Sequence, residues 1–358
     1  TPNTDMIATK LRESYRLNRN EPRVALLNVM FTRDTFDTLR EKSQGLINEF
    51  FLPPVVKDLA KIDNSGRSHI AGSLQQNSFE EYFWQSLYYC MPRDFIENFH
   101  DYYHTYQRDI EERKFTHIVA ECWISHVPDS IYVALAKEAN RKFIAYEHGS
   151  GSFIDRNANW FMGIEASDVY MTVGWKQNNH KVIQGGFSCR EIAPYEYHHD
   201  KKSVLFISHT NQPYWLEFNM YANNSTFIRE LKLVSDFIAM LSARIKDNLL
   251  FRPRVEEHFW DTVKSLELDN SNIGIDIGDF RESIHKARIV VIDHVSTGIA
   301  EVLLTNVPCV LLKDMSLVEL SDELQIIFKD LRRCGVVHST AESAVAHLSA
   351  VYDDVQAW

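Results

Sequence analysis

The fold is predicted first from residues 115–149, which read FTHIVAECWISHVPDSIYVALAKEANRKFIAYEHG. This stretch begins with a short apolar run at 115–120, continues through helix-favouring residues from Pro128, and returns to an apolar run at 142–146. Short apolar strands that alternate with helices are typical of a parallel sheet with helices on both faces. The stretch therefore predicts one strand–helix–strand unit of an α/β domain.

The same alternation extends through most of the chain. Further strands are predicted at residues 24–29, 169–173, 203–207, 248–251, 273–275, 289–293 and 309–312. Helices are predicted at residues 225–247, 280–287 and 298–305, and a Ser-x-x-Glu capping box at 339–342 begins the last one. The first hundred residues are expected to be mostly helical, and the aromatic residues between Phe79 and Tyr89 predict a packed helical face.

A polar stretch, 191–202, interrupts the alternation and is interpreted as a linker. The chain has 358 residues, which is more than one hydrophobic core usually serves. We therefore predict two doubly wound, Rossmann-like domains, 1–192 with a helical beginning and 193–358, facing each other across a cleft. Ligands of such sheets bind at the carboxyl ends of the strands. Whether the last helix packs back on the first domain is left open.

Composition excludes several classes of protein. Hydrophobic residues make up 45% and charged residues 24%, as in ordinary folded proteins, and the net charge of -11 argues against a nucleic-acid partner. The five cysteines include no C-x-x-C pair, so neither a disulfide framework nor a zinc site is expected. No segment is predicted to cross a bilayer or to act as a secretion signal. The expectation is a cytoplasmic protein, with peripheral association with the inner membrane or with other biosynthetic domains left open.

The first candidate catalytic motif follows the strand at 142–146. Its histidine, His148, could act as a general base or bind an anion, since a histidine titrates near neutral pH. Glu121, Glu147 and Asp155 are the carboxylates expected nearby, as nucleophile or general base. The alternative is a glycine-rich turn in which the histidine only caps a backbone carbonyl.

A second candidate motif, VIDHVSTGIAE, occupies residues 291–301. A buried strand leads into a turn of small residues and then into a helix, whose free N–H groups and positive end suit a phosphate. Ser296 and Thr297 would bind that phosphate, and Glu301 could accept hydrogen bonds from ribose hydroxyls. The alternative is a serine or threonine that only caps the helix.

Polar residues follow two further predicted strands of the second half. His209 and Thr210 follow the strand at 203–207, and Arg252 and Arg254 follow the next one. Paired arginines suit phosphate because guanidinium groups donate forked, charge-assisted hydrogen bonds. All four are predicted to bind the nucleotide, although exposed arginines can also be merely solvated.

Several motifs occur in a fixed order from residue 91 to the C-terminus. They are the turn at 147–151, the acidic helix and Y-M-T-V-G-W element at 165–175, the step at 184–187, the helix at 280–288, the E-x-L-x-x-N-x-P segment at 301–310 and the ending at 340–358. This succession resembles a family of transferases from O-antigen and spore-coat polysaccharide gene clusters. The chain departs from that family in having Glu147 in place of a glutamine, and Ser150 and Ser152 in the glycine run.

The resemblance implies a GT-B glycosyltransferase, with the nucleotide on the C-terminal domain and acceptor contacts on the N-terminal one. Kdo transferred from CMP-Kdo to a bacterial surface polysaccharide or lipopolysaccharide is the favoured reaction, with a glycan or lipid-linked glycan as acceptor. No D-x-D motif stands where a sugar-nucleotide metal would require it, so neither a metal nor another cofactor is expected. Nucleotide-sugar epimerisation, polyol-phosphate transfer and a non-catalytic glycan-binding or scaffold module remain open.

Overall fold

In a computed structural model of the chain, the described residues are 23–29, 33–55, 62–71, 79–121, 127–147, 149, 160–176, 178–185, 193–209, 224–254, 261–268 and 271–358. By their internal contacts the residues divide into two units. The first comprises Thr1–His148 and Trp160–Arg190, and the second comprises Gly149–Asn159 and Glu191–Trp358. The predicted domain boundary lay between residues 192 and 193.

The described part of the first unit forms one parallel sheet with helices around it. Its strands are β1 (Val24–Leu27), β2 (Ile47–Phe50), β3 (His117–Glu121), β4 (Lys142–Tyr146), β5 (Val169–Thr172) and β6 (Val182–Gln184). Its helices are α1 (Arg33–Lys42), α2 (Asn64–Ala71), α3 (Phe79–Cys90), α4 (Phe99–Glu112), α5 (Val127–Glu138) and α6 (Trp160–Ala166). The six strands lie in the order β2-β1-β3-β4-β5-β6, and every neighbouring pair is parallel.

Apolar side chains cover both faces of this sheet. Alternate strand residues such as Ile118 and Phe143 pack with α4, α5 and α6 on one face, while Leu26 and Val119 pack with Phe36 of α1 on the other. Because successive side chains of a strand point to opposite faces, both faces of a strand in a two-sided core must be apolar. This requirement explains the continuous apolar runs of the sequence.

The described part of the second unit has the same architecture. Its strands are β7 (Val204–Ile207), β8 (Leu249–Arg252), β9 (Gly274–Ile275), β10 (Ile289–Ile292), β11 (Cys309–Leu312) and β12 (Val337–His338). Its helices are α7 (Asn224–Met240), α8 (Ala243–Lys246), α9 (Thr262–Ser265), α10 (Phe280–Lys286), α11 (Thr297–Thr305), α12 (Asp322–Arg333) and α13 (Ala341–Val351). The parallel strands lie in the order β12-β11-β10-β7-β8-β9.

This strand order is that of a Rossmann fold, and it reverses between β7 and β10. The two faces again carry separate apolar clusters, with α7 and α13 on one side and α10, α11 and α12 on the other. The prediction of two doubly wound α/β domains is therefore confirmed. Ligands of open α/β sheets bind at the carboxyl ends of the strands where the strand order reverses, and here these are the ends of β7 and β10.

Three details of the prediction are wrong. The long helix at 225–247 is interrupted at Ser242, whose extended backbone separates α7 from α8 and lets Leu241 and Ile245 both enter the core. The last helix is capped by Thr340, whose hydroxyl accepts a hydrogen bond from the Ser343 N–H at 3.2 Å, and not by the first serine of the capping box. The packed aromatic face on α3 is also not observed, since Phe79, Tyr82 and Tyr89 are exposed.

The C-terminal end is held within the second unit. The buried Arg288 donates hydrogen bonds to the carbonyl groups of Tyr352 at 2.6 Å and Asp353 at 2.8 Å. The described residues of the predicted linker also pack there, because the Tyr195 N–H donates to the Thr305 carbonyl at 2.7 Å and its ring joins the core. The described contacts of α13 likewise lie with α7, β11 and β12.

Candidate functional site at the edge of the second sheet

Asp293 joins the two strands between which the strand order reverses. It follows β10, and its Oδ2 accepts a hydrogen bond from the Ser208 hydroxyl, after β7, at 2.7 Å. Its Oδ1 accepts from the His209 N–H at 2.8 Å and contacts His294 Nδ1 at 3.0 Å. Burial acts to raise the pKa of Asp293, but the hydrogen bond and charge of His294, with the other two donors, hold it below its usual range. Asp293 is therefore a buried, ionised carboxylate.

His294 is oriented by this carboxylate toward the start of α11. An ionised carboxylate only accepts hydrogen bonds, so the proton of the ring lies on Nδ1 and Nε2 is left for another partner. Nε2 lies 3.2 Å from the position that a Cβ on Gly298 would take. The Ser296 hydroxyl caps α11 and accepts from the Gly298 N–H at 3.3 Å. The ring therefore lies beside the first turn of α11, where N–H groups lack acceptors within the helix.

His209 lies in a region of positive charge. Its ring centroid is 5.2 Å from that of His294. Burial, together with the positive charges of His294, Arg254 and Lys313, lowers the pKa of His209 to about 3 against the opposing charge of Asp293. His209 is thus uncharged at neutral pH, and the cations around it come from strand ends on both sides. Such a cluster at a helix N-terminus is suited to binding a phosphate.

Lys313 is a residue of this site that the sequence analysis missed. It follows β11 directly, is buried, and forms an ion pair with Glu230 of α7. Next to this pair, Arg229 donates to Asp314 at 2.5 Å, so two ion pairs connect α7 to the end of β11. The rule that selected the residues after other strands would have found Lys313, since it follows a correctly predicted strand. Glu230 lies inside a long helix, where no motif distinguishes it.

The two predicted nucleotide-binding arginines have different surroundings. Arg252 at the end of β8 donates to the Asp276 carboxylate at 2.6 Å, with both side chains largely buried. This ion pair connects β8 to the residue that follows β9. Arg254 is exposed, and its charge acts on His209. Arg254 is therefore the better placed of the two to meet an anion, and Arg252 holds the edge of the sheet together.

The remaining predicted residues of the second half lie on or near α11. Ser296 is its N-cap, Thr297 is its first residue, and Glu301 is buried one turn further along. Within the second unit, Gly149 is also buried, and any side chain there would collide with the Thr297 hydroxyl. The glycine run thus needs its glycine at 149 because of the residue that begins α11. Thr210 lies outside the described residues.

Glu147, at the end of β4 in the first unit, is a fully buried carboxyl group. Its Oε2 accepts hydrogen bonds from the Val173 N–H at 2.8 Å and from Trp175 Nε1 at 2.7 Å. Its Oε1 has no hydrogen-bond partner within the described part of the chain. Burial raises the pKa of Glu147 to about 7, although the two hydrogen bonds act to lower it. The tryptophan of the Y-M-T-V-G-W element thus has a defined role, which is to hold Glu147.

The other predicted catalytic residues are only partly described. Glu121 ends β3, pairs in register with Tyr146 and is half-buried, so it lies on the same sheet edge as Glu147. His148 and Asp155 lie outside the described residues. The structure therefore brings two of the four residues to one edge, and all four assignments stay predictions.

Among the described residues, no group of three or more histidine, cysteine or acidic residues is arranged to hold a metal ion. Nor do they include a helix long and apolar enough to cross a bilayer.

The chain belongs to a family of transferases, because the family described as LIC12162 family transferase matches residues 6–358. Comparison with curated proteins gives no match. Among solved structures, the chain is similar to the spinosyn forosaminyltransferase SpnP, with 9% identity over 94% of this chain and 91% of that one and a TM-score of 0.45. It is similar to Anabaena HepE in complex with UDP and glucose, with 12% identity over 93% and 90% and a TM-score of 0.44.

A UDP-N-acetylglucosamine 2-epimerase is also similar, with 8% identity over 94% of this chain and 88% of that one and a TM-score of 0.47. These likenesses are too distant to carry information on the substrate of this chain. Its assignment to a class of enzyme rests on the transferase family.

Proposed function

We propose that this transferase moves a glycosyl group from a nucleotide-activated donor to a glycan. The observation that carries the proposal is the positive charge around His209 at the start of α11. A donor of this class leaves as a nucleotide, and negative charge develops on its phosphate in the transition state. Fixed cations and a helix N-terminus stabilise that charge without having to reorganise.

The parts of the donor can be assigned to residues of the second unit. The phosphate is bound by Thr297 and the first-turn N–H groups of α11, with Arg254 and Lys313 providing positive charge. The buried Glu301, one turn further along, accepts hydrogen bonds from the ribose. The acceptor hydroxyl is activated by one of the four candidate bases, namely Glu121, Glu147, His148 or Asp155.

Kdo supplied as CMP-Kdo is the donor to test first. This sugar carries a carboxylate, which suits the arginine and lysine side chains of the site. The acceptor is a growing surface polysaccharide or lipopolysaccharide of a bacterium, and the reaction takes place in the cytoplasm or at the inner face of the membrane. We further propose that transfer does not require a metal ion, because the protein cations replace its charge on the leaving phosphate.

The test combines a binding screen with a product assay. The chain is first screened by thermal unfolding against CMP, UDP, GDP and CDP, since a ligand that binds only the folded state raises its stability. Sugars activated by the selected nucleotide are then incubated with glycan acceptors, with and without EDTA, and products are identified by mass spectrometry. A glycan longer by one sugar in both conditions supports the proposal.

Other products would indicate other functions. An isomerised donor without transfer would indicate an epimerase, and transfer of a polyol phosphate would indicate a polyol-phosphate transferase. Nucleotide binding without any turnover would favour a glycan-binding or scaffold module. Loss of activity in EDTA, restored by a divalent cation, would contradict the metal-independent mechanism.

A further inference from the structure

We propose that His294 is a catalytic residue that meets the leaving phosphate with Nε2–H, and that Asp293 is the positioning residue that holds it. This inference rests on the proposed function, since it names the group that receives the leaving nucleotide. The sequence motif contained both residues, but neither was given a role from the sequence.

The first argument is the orientation of the ring. Nδ1 is engaged by Asp293 at 3.0 Å, and the carboxylate is fixed in turn by Ser208 and the His209 N–H. In the described part of the chain, Nε2 makes no hydrogen bond, and it lies beside Gly298 in the first turn of α11. An anion bound by the N–H groups of that turn would therefore lie within reach of Nε2. If the ring had only a structural role, its hydrogen bond from Nδ1 to Asp293 would be sufficient.

The second argument is the balance of charge. Asp293 is 8% exposed and ionised, and His294 is the one ionisable side chain in hydrogen-bonding contact with it among the described residues. A proton on His294 makes this pair neutral as a whole. The nearby cations do not balance the charge of Asp293. Lys313 is paired with Glu230, and Arg254 lies in an exposed position.

The second histidine of the site cannot serve in the same way. Burial and the neighbouring positive charges lower the pKa of His209 to about 3, so it carries no proton to give at neutral pH. His294, which has the carboxylate partner, is therefore the ring that can be positively charged when the anion is bound.

The step is balanced as follows. The bond from the anomeric carbon to the phosphate oxygen breaks, and its electron pair stays on that oxygen, which shares or takes the proton of His294 Nε2. The anomeric carbon bonds to the acceptor oxygen, and the acceptor proton passes to the general base. His294 then takes up a proton from solvent and the general base releases its proton to solvent, so the enzyme returns to its starting state.

The test is the affinity for UDP and CMP, measured by calorimetry at pH 7. His294→Gln should bind both nucleotides about tenfold more weakly than wild type, because it loses a charge-assisted hydrogen bond to the phosphate. Turnover of His294→Gln should be lower by about a hundredfold.

His209→Gln is the matched control. It removes the other histidine of the site, whose ring is uncharged at neutral pH, so its loss of affinity should be smaller than that of His294→Gln. Thermal unfolding checks that both variants fold. The inference is overturned if His294→Gln keeps the wild-type affinity or the wild-type turnover. If wild type binds none of the four nucleotides of the screen, the proposed function itself fails, which is a different result.

Discussion

Replacement of Asp293 by alanine should lower the free energy of unfolding by about 3–5 kcal/mol, as expected when one partner is removed from a buried charged network. The substitution leaves the Ser208 hydroxyl, the His209 N–H and the His294 ring without their shared acceptor. These three groups follow β7 and β10, the two strands at the reversal of the sheet. The lost hydrogen bonds therefore weaken the centre of the second unit. Urea denaturation at pH 7 measures the effect.

Two variants control this prediction. Asp293→Asn keeps the size and one acceptor oxygen, so its loss should be about 1–2 kcal/mol, in the range of a weakened buried hydrogen bond. Asp330→Ala removes an exposed aspartate of α12 and should change stability by no more than about 0.5 kcal/mol. If Asp293→Ala loses no more stability than Asp330→Ala, the hydrogen-bonded network around Asp293 is incorrect.

Replacement of Glu147 by glutamine should stabilise the protein at alkaline pH and flatten its pH dependence. Burial raises the pKa of Glu147 from 4.5 to about 7, so the folded chain keeps a proton that the unfolded chain has released. Stability is then greatest below pH 4.5 and falls as pH rises toward 7, by about 3 kcal/mol in total at about 1.4 kcal/mol per unit. Glutamine has no proton to lose and can still accept from Val173 and Trp175.

The measurement is the difference in unfolding free energy between variant and wild type from pH 4.5 to 8.5. The unfolding free energy of Glu147→Gln relative to wild type should rise steadily up to pH 7 and stay constant above it. The matched control is Glu165→Gln, which changes an exposed glutamate of α6 and should follow wild type at every pH. A constant difference for Glu147→Gln would mean that Glu147 is ionised in the folded chain throughout.

The sheets could be predicted because their strands are buried on both faces. Runs such as 142–146 and 309–312 were predicted with their observed bounds, since a fully buried strand admits few polar residues. The short strands β2, β6 and β12 were missed, because strand pairing and not composition determines them. Ile47–Phe50 reads INEF and contains only two apolar residues. The aromatic residues of α3 led to a wrong prediction of burial, since an aromatic-rich sequence does not require that its side chains be buried.

The sequence indicates where candidate site residues lie along the strands, but it does not indicate which residues they contact. Predicted residues such as His209 and Arg252 do lie at the carboxyl ends of β7 and β8, because polar residues interrupt the apolar runs there. The partners could not be inferred, since they depend on which strands are neighbours. Arg252 is paired with Asp276, which is 24 residues further along the chain. The pairing of Lys313 with Glu230 spans 83 residues, and no local pattern predicts it.

The phosphate site at the start of α11 is tested most directly by a calorimetric titration of Thr297→Val with the nucleotide that the screen selects. Valine preserves the shape of the threonine and replaces its hydroxyl at the start of α11 with a methyl group. Wild type should bind one nucleotide per chain, and Thr297→Val should bind it about tenfold more weakly, the loss of one hydrogen bond to a charged group. The control Ser339→Ala, before α13, should bind like wild type. Equal affinities of wild type and Thr297→Val would contradict a phosphate site at the start of α11.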